Sequence, residues 1–152
     1  MAIEVKKRVE IIQKWIDDYC NSVSFDLNSL VVGISGGIDS SVVSTLCALT
    51  GRKTIVLSMP INQIESQHDL SIKHSEWLKS KFHNVEFKII EMDKLFHSFK
   101  ESLKDFNNEH GLANSRARLR MSTLYQVAAA NLGIVVGTGN KVEDFGVGFY
   151  TK

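Results

Sequence analysis

The sequence is poor in the features that mark most specialised classes. It has a single proline, Pro60, and no repeat, low-complexity tract or linker. Nothing therefore divides its 152 residues, and one domain with a real core is expected. It has two cysteines, Cys20 and Cys47, with no CxxC pair and no zinc-type His/Cys spacing. Both fall on apolar helix faces and read as reduced core thiols of a cytoplasmic protein. His68, His74, His83, His97 and His110 show no ligand spacing and read as surface residues. Neither charge prevails, with 18 Lys and Arg against 17 Asp and Glu. That balance speaks against nucleic acid or an anionic membrane as main partner. No apolar run approaches the roughly 18 residues of a membrane span. The N-terminus mixes acids and lysines into a helical pattern and lacks the apolar centre of a secretory signal.

What the chain does have is alternation. Val5, Val9, Ile12, Ile16, Tyr19 and Val23 step by threes and fours, which predicts a helix over residues 3–23. Leu30 to Ile34 is a short apolar run, a buried strand. A helix is expected from Ile38 to Leu49, closed by Gly51. Strands are expected at Thr54 to Met59, Val85 to Ile90 and Ile134 to Val136. Helices are expected from Glu65 to Phe82, from Asp93 as cap with Leu95, Phe99, Leu103 and Phe106 on one face, and from Ser115 to Asn131 with Gly133 ending it. Residues 107–114, NNEHGLAN, read as a polar loop, with Asn114 as the following helix cap or, second to that, a substrate contact. Apolar strands alternating with helices predict an α/β fold, an open parallel sheet with helices on both faces.

One stretch carries chemistry: VVGISGGIDSSVVSTL, residues 31–46. Gly33, Gly36 and Gly37 let backbone turn tightly and approach a ligand. The helix starting near Ile38 turns its free amides back at that turn, an arrangement that attracts phosphate. Ser35, Ser40 and Ser41 add hydroxyls. Asp39 puts a carboxylate where phosphate should go, which is repulsive unless a divalent cation lies between, so Asp39 reads as a magnesium ligand. A Walker loop is excluded because Ile38 and Asp39 stand where glycine and lysine belong. A dinucleotide GxGxxG is excluded because Ser35 occupies its second glycine position.

SGGIDS, residues 35–40, resembles the pyrophosphate loop of the N-type ATP pyrophosphatases, which cleave ATP between the α and β phosphates. NSRARLRMSTLYQVAAANLGIVVGTGNKVEDFGVGFYTK, residues 114–152, narrows the resemblance to NAD synthetase. There an Asn-x-x-Ala-Arg-x-Arg-Met helix precedes Val-Val-Gly-Thr, a Glu, and Gly-Phe-Phe-Thr-Lys; Tyr150 replaces the second aromatic here. The resemblance spans about residues 3–152. It implies an adenine nucleotide alpha hydrolase-like, Rossmann-like sheet of order 3-2-1-4. The loops leaving strands one and four would then face each other across one crevice, where ligands of open α/β sheets bind.

The family makes NAD from deamido-NAD, ATP and ammonia. The resemblance implies that Gly33, Ile34, Ser35, Gly36, Gly37, Ile38, Asp39, Ser40 and Thr138 hold ATP, that Asp39 and Glu143 hold Mg²⁺, and that Arg118 and Lys152 contact deamido-NAD. It also implies a homodimer, a cytoplasmic setting and no protein nucleophile. Helix geometry bears on Arg118 separately. Arg116 and Arg120 share a face, while Arg118 lies about 200° round from Arg116. The three cannot form one patch, and Arg118 is the candidate for a site or interface. Ala128, Ala129 and Ala130 suit close helix approach, in a dimer or in the core. Met59 and Pro60 end the strand where this superfamily's adenine meets backbone, and Gln63 is a soft nucleotide candidate. The family continues past the Thr-Lys pair with Tyr-Gly-Asp-Gly-Gly and a further strand that the sequence lacks, so a C-terminally incomplete domain is expected. Two alternatives stand beside NAD synthetase: another N-type ATP pyrophosphatase, and a nucleotide-binding or dimerising protein without turnover.

Overall fold

The computed structural model describes residues 4–62 and 65–147. In chain order its elements are α1 (Val5–Ser22), β1 (Ser29–Ile34), α2 (Ile38–Leu49), β2 (Lys53–Ser58), α3 (Glu65–Lys81), β3 (Val85–Ile89), α4 (Asp93–Ser102), α5 (Glu109–Ala130) and β4 (Gly133–Val135). A 3-10 turn, Lys104–Phe106, follows α4, and a π-type turn, Val142–Val147, follows β4. The four strands are parallel, as their alternation with helices predicts, in the order β3-β2-β1-β4 that the resemblance implies.

Strand periodicity sorts the side chains into two layers. Leu30, Val32 and Ile34 of β1 face α1, α2 and α3, where they meet Ile16, Cys20, Cys47, Ala48 and Leu78. Val31 of β1 and Ile55 and Leu57 of β2 face the other way, against Met92, Phe96, Leu112 and Ala128 of the α4–α5 layer. Both cysteines are free and buried, as expected. The lower end of the sheet is tied by polar groups. Arg52 donates from Nε to Asp17 at 2.6 Å and from Nη2 to Asn21 at 2.7 Å. The Asn84 amide bridges the carbonyls of Ala48 and Arg52.

Gly51 has φ +77° and closes α2, a conformation that favours glycine. Gly133 has a different purpose from the helix stop expected of it. The left-handed residue after α5 is Leu132, φ +47°, and Gly133 is already in β4. A Cβ on Gly133 would overlap Ser29 Oγ and lie 2.7 Å from the Ser29 carbonyl oxygen, so glycine is what lets β4 pack beside β1.

Three other expectations are corrected. The segment 107–114 is largely helical, because Asn108 rather than Asn114 caps α5, its side chain accepting from the Gly111 N–H at 2.9 Å, and Leu112 anchors the first turn in the core. Asp93 does not cap α4; its carboxylate accepts from the Asn62 N–H at 2.7 Å and holds the chain leaving β2. The buried residue of α4 is Phe96, while Leu95 of the expected face is exposed, and so is Phe106, which lies beyond the end of α4 at Ser102.

Candidate active site

The carboxyl ends of β1, β2 and β4 open onto one cavity of about 510 Å³. It is lined by backbone and side chains from β1 and its exit (Gly33, Ile34, Ser35), the β2 exit (Met59, Ile61, Asn62), α5 (Arg116, Arg120, Leu124) and the β4 exit (Thr138). A Cβ at Gly33 would meet Met59 and Leu124 at 3.4–3.5 Å, ordinary contact distances, so Gly33 lies against these two lining side chains. Four of the sequence candidates, Gly33, Ile34, Ser35 and Thr138, thus share one chamber.

The turn from β1 into α2 is built by its serines. Gly36 takes φ +88°, where a Cβ would be strained. The Gly37 N–H donates to Ser35 Oγ at 3.2 Å, and Ser40 Oγ donates to the Gly37 carbonyl at 3.0 Å. Ser41 Oγ donates to the same carbonyl at 2.9 Å. Ser40 is buried, so its hydroxyl supports the turn from inside. The N-cap residue of α2 is Gly37, which has no side chain to offer, and among the described residues no side-chain cap bond is made there. Its first amides are therefore left for an anion, which the helix dipole also favours.

Asp39 lies in the first turn of α2, half-buried and without a basic partner among the described residues. Its Oδ2 accepts from Asn140 Nδ2 at 3.3 Å. The Oδ1 of the same Asn140 accepts from the Val142 and Glu143 N–H groups at 2.9 and 3.0 Å. Asn140 thus caps the turn that carries Glu143 and ties it to Asp39. Among the described residues no group of three or more His, Cys, Asp or Glu side chains surrounds a metal position. One or two carboxylates beside a phosphate pocket is a donor set that fits magnesium held jointly with substrate oxygens, rather than in a protein cage.

Arg118 is exposed and outside the cavity lining, whereas Arg116 and Arg120 line it. The 200° separation of Arg118 from the other two holds, and it is the pair that faces the chamber. Arg120 donates from Nε to the Met59 carbonyl at 2.9 Å, and the Arg116 guanidinium sits 5.5 Å from the Phe96 ring centre. Burial, then the neighbouring Arg116 charge, lowers the Arg120 pKa, yet arginine stays protonated. Lys152 and Gln63 lie outside the described residues. Arg116, Arg120 and Asn140 are the residues that sequence reasoning missed. The i, i+4 spacing of the arginines was the available signal.

An open parallel sheet of order 3-2-1-4, with a glycine-rich strand–loop–helix at its reversal, is the adenine nucleotide alpha hydrolase-like α/β fold. The chain belongs to the NAD synthase family, whose model matches residues 8–152. It is 35% identical over 155 residues to the NH3-dependent NAD+ synthetase of Mesoplasma florum, covering 99% of this chain and 60% of that protein. It is 34% identical over 131 residues to that of Staphylothermus marinus, covering 84% of this chain and 46% of that protein. Among solved structures, the NMN synthetase from Francisella tularensis superposes with TM-score 0.88 at 30% identity, covering 99% of this chain and 60% of that one. The NH3-dependent NAD synthetase from Campylobacter jejuni, in complex with the nitrate ion, superposes with TM-score 0.85 at 30% identity, over 98% and 62%. The chain therefore spans about half to three-fifths of the length of the curated relatives it matches.

Proposed function

We propose that this chain carries the ATP site of an NAD synthetase, a C–N bond-forming ligase that amidates deamido-NAD with ammonia. The observation that carries the proposal is the Asp39–Asn140 bond, which brings the uncapped start of α2 and the Glu143 turn to one place beside the cavity. In this reading residues 33–40 and Thr138 bind ATP. Arg118, exposed and outside the cavity lining, contacts deamido-NAD together with Lys152. Mg²⁺ held by Asp39 and Glu143 with phosphate oxygens would supply charge neutralisation at the departing pyrophosphate.

A carboxylate oxygen of deamido-NAD attacks the α-phosphorus, and the electron pair of the broken P–O bond leaves with pyrophosphate. The α2 amides are aimed at the charge that develops there, so they stabilise the transition state more than bound ATP. Ammonia then attacks the acyl carbon of the acyl-adenylate, loses its proton to solvent and expels AMP. No protein nucleophile enters. The Ser44–His74 pair, 3.0 Å apart, joins α2 to α3, and Ser44 is fully buried. A homodimer in the cytoplasm completes the reading. Exposed Met121 and Tyr125 on α5 leave apolar surface for such an interface.

The test is pyrophosphate release from ATP and ammonia, with and without deamido-NAD, using this chain. Release that requires deamido-NAD and yields AMP is expected. ADP and phosphate as products, or no deamido-NAD-dependent release, would defeat the proposal. The likeness to the NMN synthetase makes the shorter nicotinate mononucleotide a second acceptor to try.

A further inference from the structure

Among the described residues, the cavity lining holds two cations, Arg116 and Arg120, and no carboxylate. Arg116 and Arg120 are one turn apart on α5, both half-buried and both lining the chamber with Gly33, Ser35 and Thr138. Arg120 uses one N–H, Nε, on the Met59 carbonyl. A guanidinium has five N–H donors, so most of this pair's donors are uncommitted. Among the described residues neither arginine forms an ion pair with a carboxylate. Arg52, another partly buried arginine, is treated differently by the fold: Asp17 and Asn21 both engage it. Neighbouring half-desolvated cations repel, and the arrangement becomes favourable when an anion enters between them.

The geometry points to Arg116 and Arg120 as an anion subsite of the cavity, formed by α5 and separate from the α2 amides, that takes the charged group of a substrate lying over Met59 and Leu124. This rests on the NAD synthetase reading and adds two residues to its site. The chemistry recognised is a pair of phosphate or carboxylate oxygens, which a guanidinium fork matches bidentately. Two such groups belong to that reaction, the α-phosphate of the nucleotide and the carboxylate of deamido-NAD.

Arg116 is the residue to change, because among the described residues its guanidinium makes no hydrogen bond or ion pair and rests on the Phe96 ring, so its loss leaves the Met59 bond intact. Calorimetry on wild type, Arg116→Gln and Arg116→Lys would use four probes: AMP, magnesium pyrophosphate, deamido-NAD and NAD. Arg116→Gln is expected to weaken AMP or deamido-NAD by roughly tenfold or more, the effect of losing a charge-assisted bond. Magnesium pyrophosphate should bind unchanged, and Arg116→Lys should retain part of the affinity. Weakened AMP assigns the subsite to phosphate. Weakened deamido-NAD with unaltered AMP and NAD assigns it to the carboxylate. Equal affinities of wild type and Arg116→Gln for every probe overturn the inference. So does a wild type that binds magnesium pyrophosphate but neither AMP nor deamido-NAD. A wild type that binds none of the four overturns the NAD synthetase reading itself, and the inference with it.

Discussion

Gly133→Ala should destabilise the protein, and the size of the effect follows from one contact. The added Cβ would lie 2.7 Å from the Ser29 carbonyl oxygen and overlap Ser29 Oγ. The hydroxyl can rotate away, at the expense of its 3.1 Å bond to the Asn131 carbonyl. The carbonyl is backbone of β1, fully enclosed, so β4 must retreat by roughly half an ångström. Retreat strains the Asn28 N–H bond to the Leu132 carbonyl, now 2.7 Å. It also strains a strand pair with only three registered positions, Ser29–Gly133, Leu30–Ile134 and Val31–Val135. Overpacking of this kind costs about 1–3 kcal/mol, and a weakened hydrogen bond about 0.5–1.5. Against this, replacing glycine restricts the unfolded chain and returns about 0.4–1 kcal/mol. The net is a loss of about 1–3 kcal/mol, which lowers Tm by roughly 3–9 °C in a chain of this length.

Thermal unfolding followed by circular dichroism measures this directly. Gly137→Ala is the control, since a Cβ there meets nothing within 4 Å; its Tm should hold or rise. If Gly133→Ala melts within about 1 °C of wild type while Gly137→Ala behaves as stated, close packing of β4 on β1 is not what requires glycine.

Three further outcomes are expected. Asp39→Asn keeps the shape of the side chain but removes its charge, and should weaken magnesium-dependent ATP binding by about tenfold or more; equal calorimetric affinity at saturating magnesium would remove Asp39 from the metal site. Burial raises the Cys20 thiol pKa, while burial and the neighbouring Cys20 push Cys47 up to about 12. A thiol reagent near neutral pH should therefore label neither cysteine in the folded protein and both in denaturant, and fast native labelling of Cys47 would contradict its packing against Leu30 and Val32. Burial lowers the His74 pKa, opposed by its bond to the Ser41 carbonyl. The folded state thus prefers neutral imidazole: this contribution is complete above the ordinary value of about 6.5 and is lost as pH falls from there through the lowered folded value. Urea midpoints at roughly pH 7.5 and 5.5 should differ less for His74→Gln than for wild type, and identical differences would refute this.

The sheet was legible because its pattern is local. Runs such as Leu30–Ile34 and Thr54–Ser58 are apolar or small on both faces, as strands covered on both sides must be, and their spacing by helices implies parallel pairing. What escaped was decided by distant partners. The start of α5 hides in NNEHGLAN because asparagine and glycine read as loop until Leu112 is seen to reach the core. The apolar stripe of α4 counted Leu95 and Phe106, but only the shape of the α4–α5 layer selects Phe96. Helix periodicity separated Arg118 from Arg116 and Arg120 correctly. It has no power to say which side meets solvent, and the partner of Arg120 is a backbone carbonyl, which no residue type announces.

Asn140 shows how a neutral side chain joins two loops, and it makes the charge logic of the site testable. Its Oδ1 accepts from the Val142 and Glu143 N–H groups, so its Nδ2 is the atom presented to Asp39. Asn140→Asp would keep both backbone bonds, since a carboxylate caps as well as an amide. It would replace the donor facing Asp39 with an oxygen, setting two carboxylates against each other near 3.3 Å. Like charges about 4 Å apart repel by about 4 kcal/mol at an effective dielectric of 20, and the partial exposure of both groups reduces this to roughly 1–2. Without divalent cation the variant should melt roughly 2–8 °C below wild type. A cation between the carboxylates reverses the sign, so millimolar Mg²⁺ should restore most of the loss while moving wild type little. Monovalent salt at equal ionic strength should restore less, because screening acts on exposed charge and not on coordination. If Asn140→Asp melts like wild type in chelator, or gains no more from Mg²⁺ than wild type does, then Asp39 and the β4 exit do not share a common electrostatic centre.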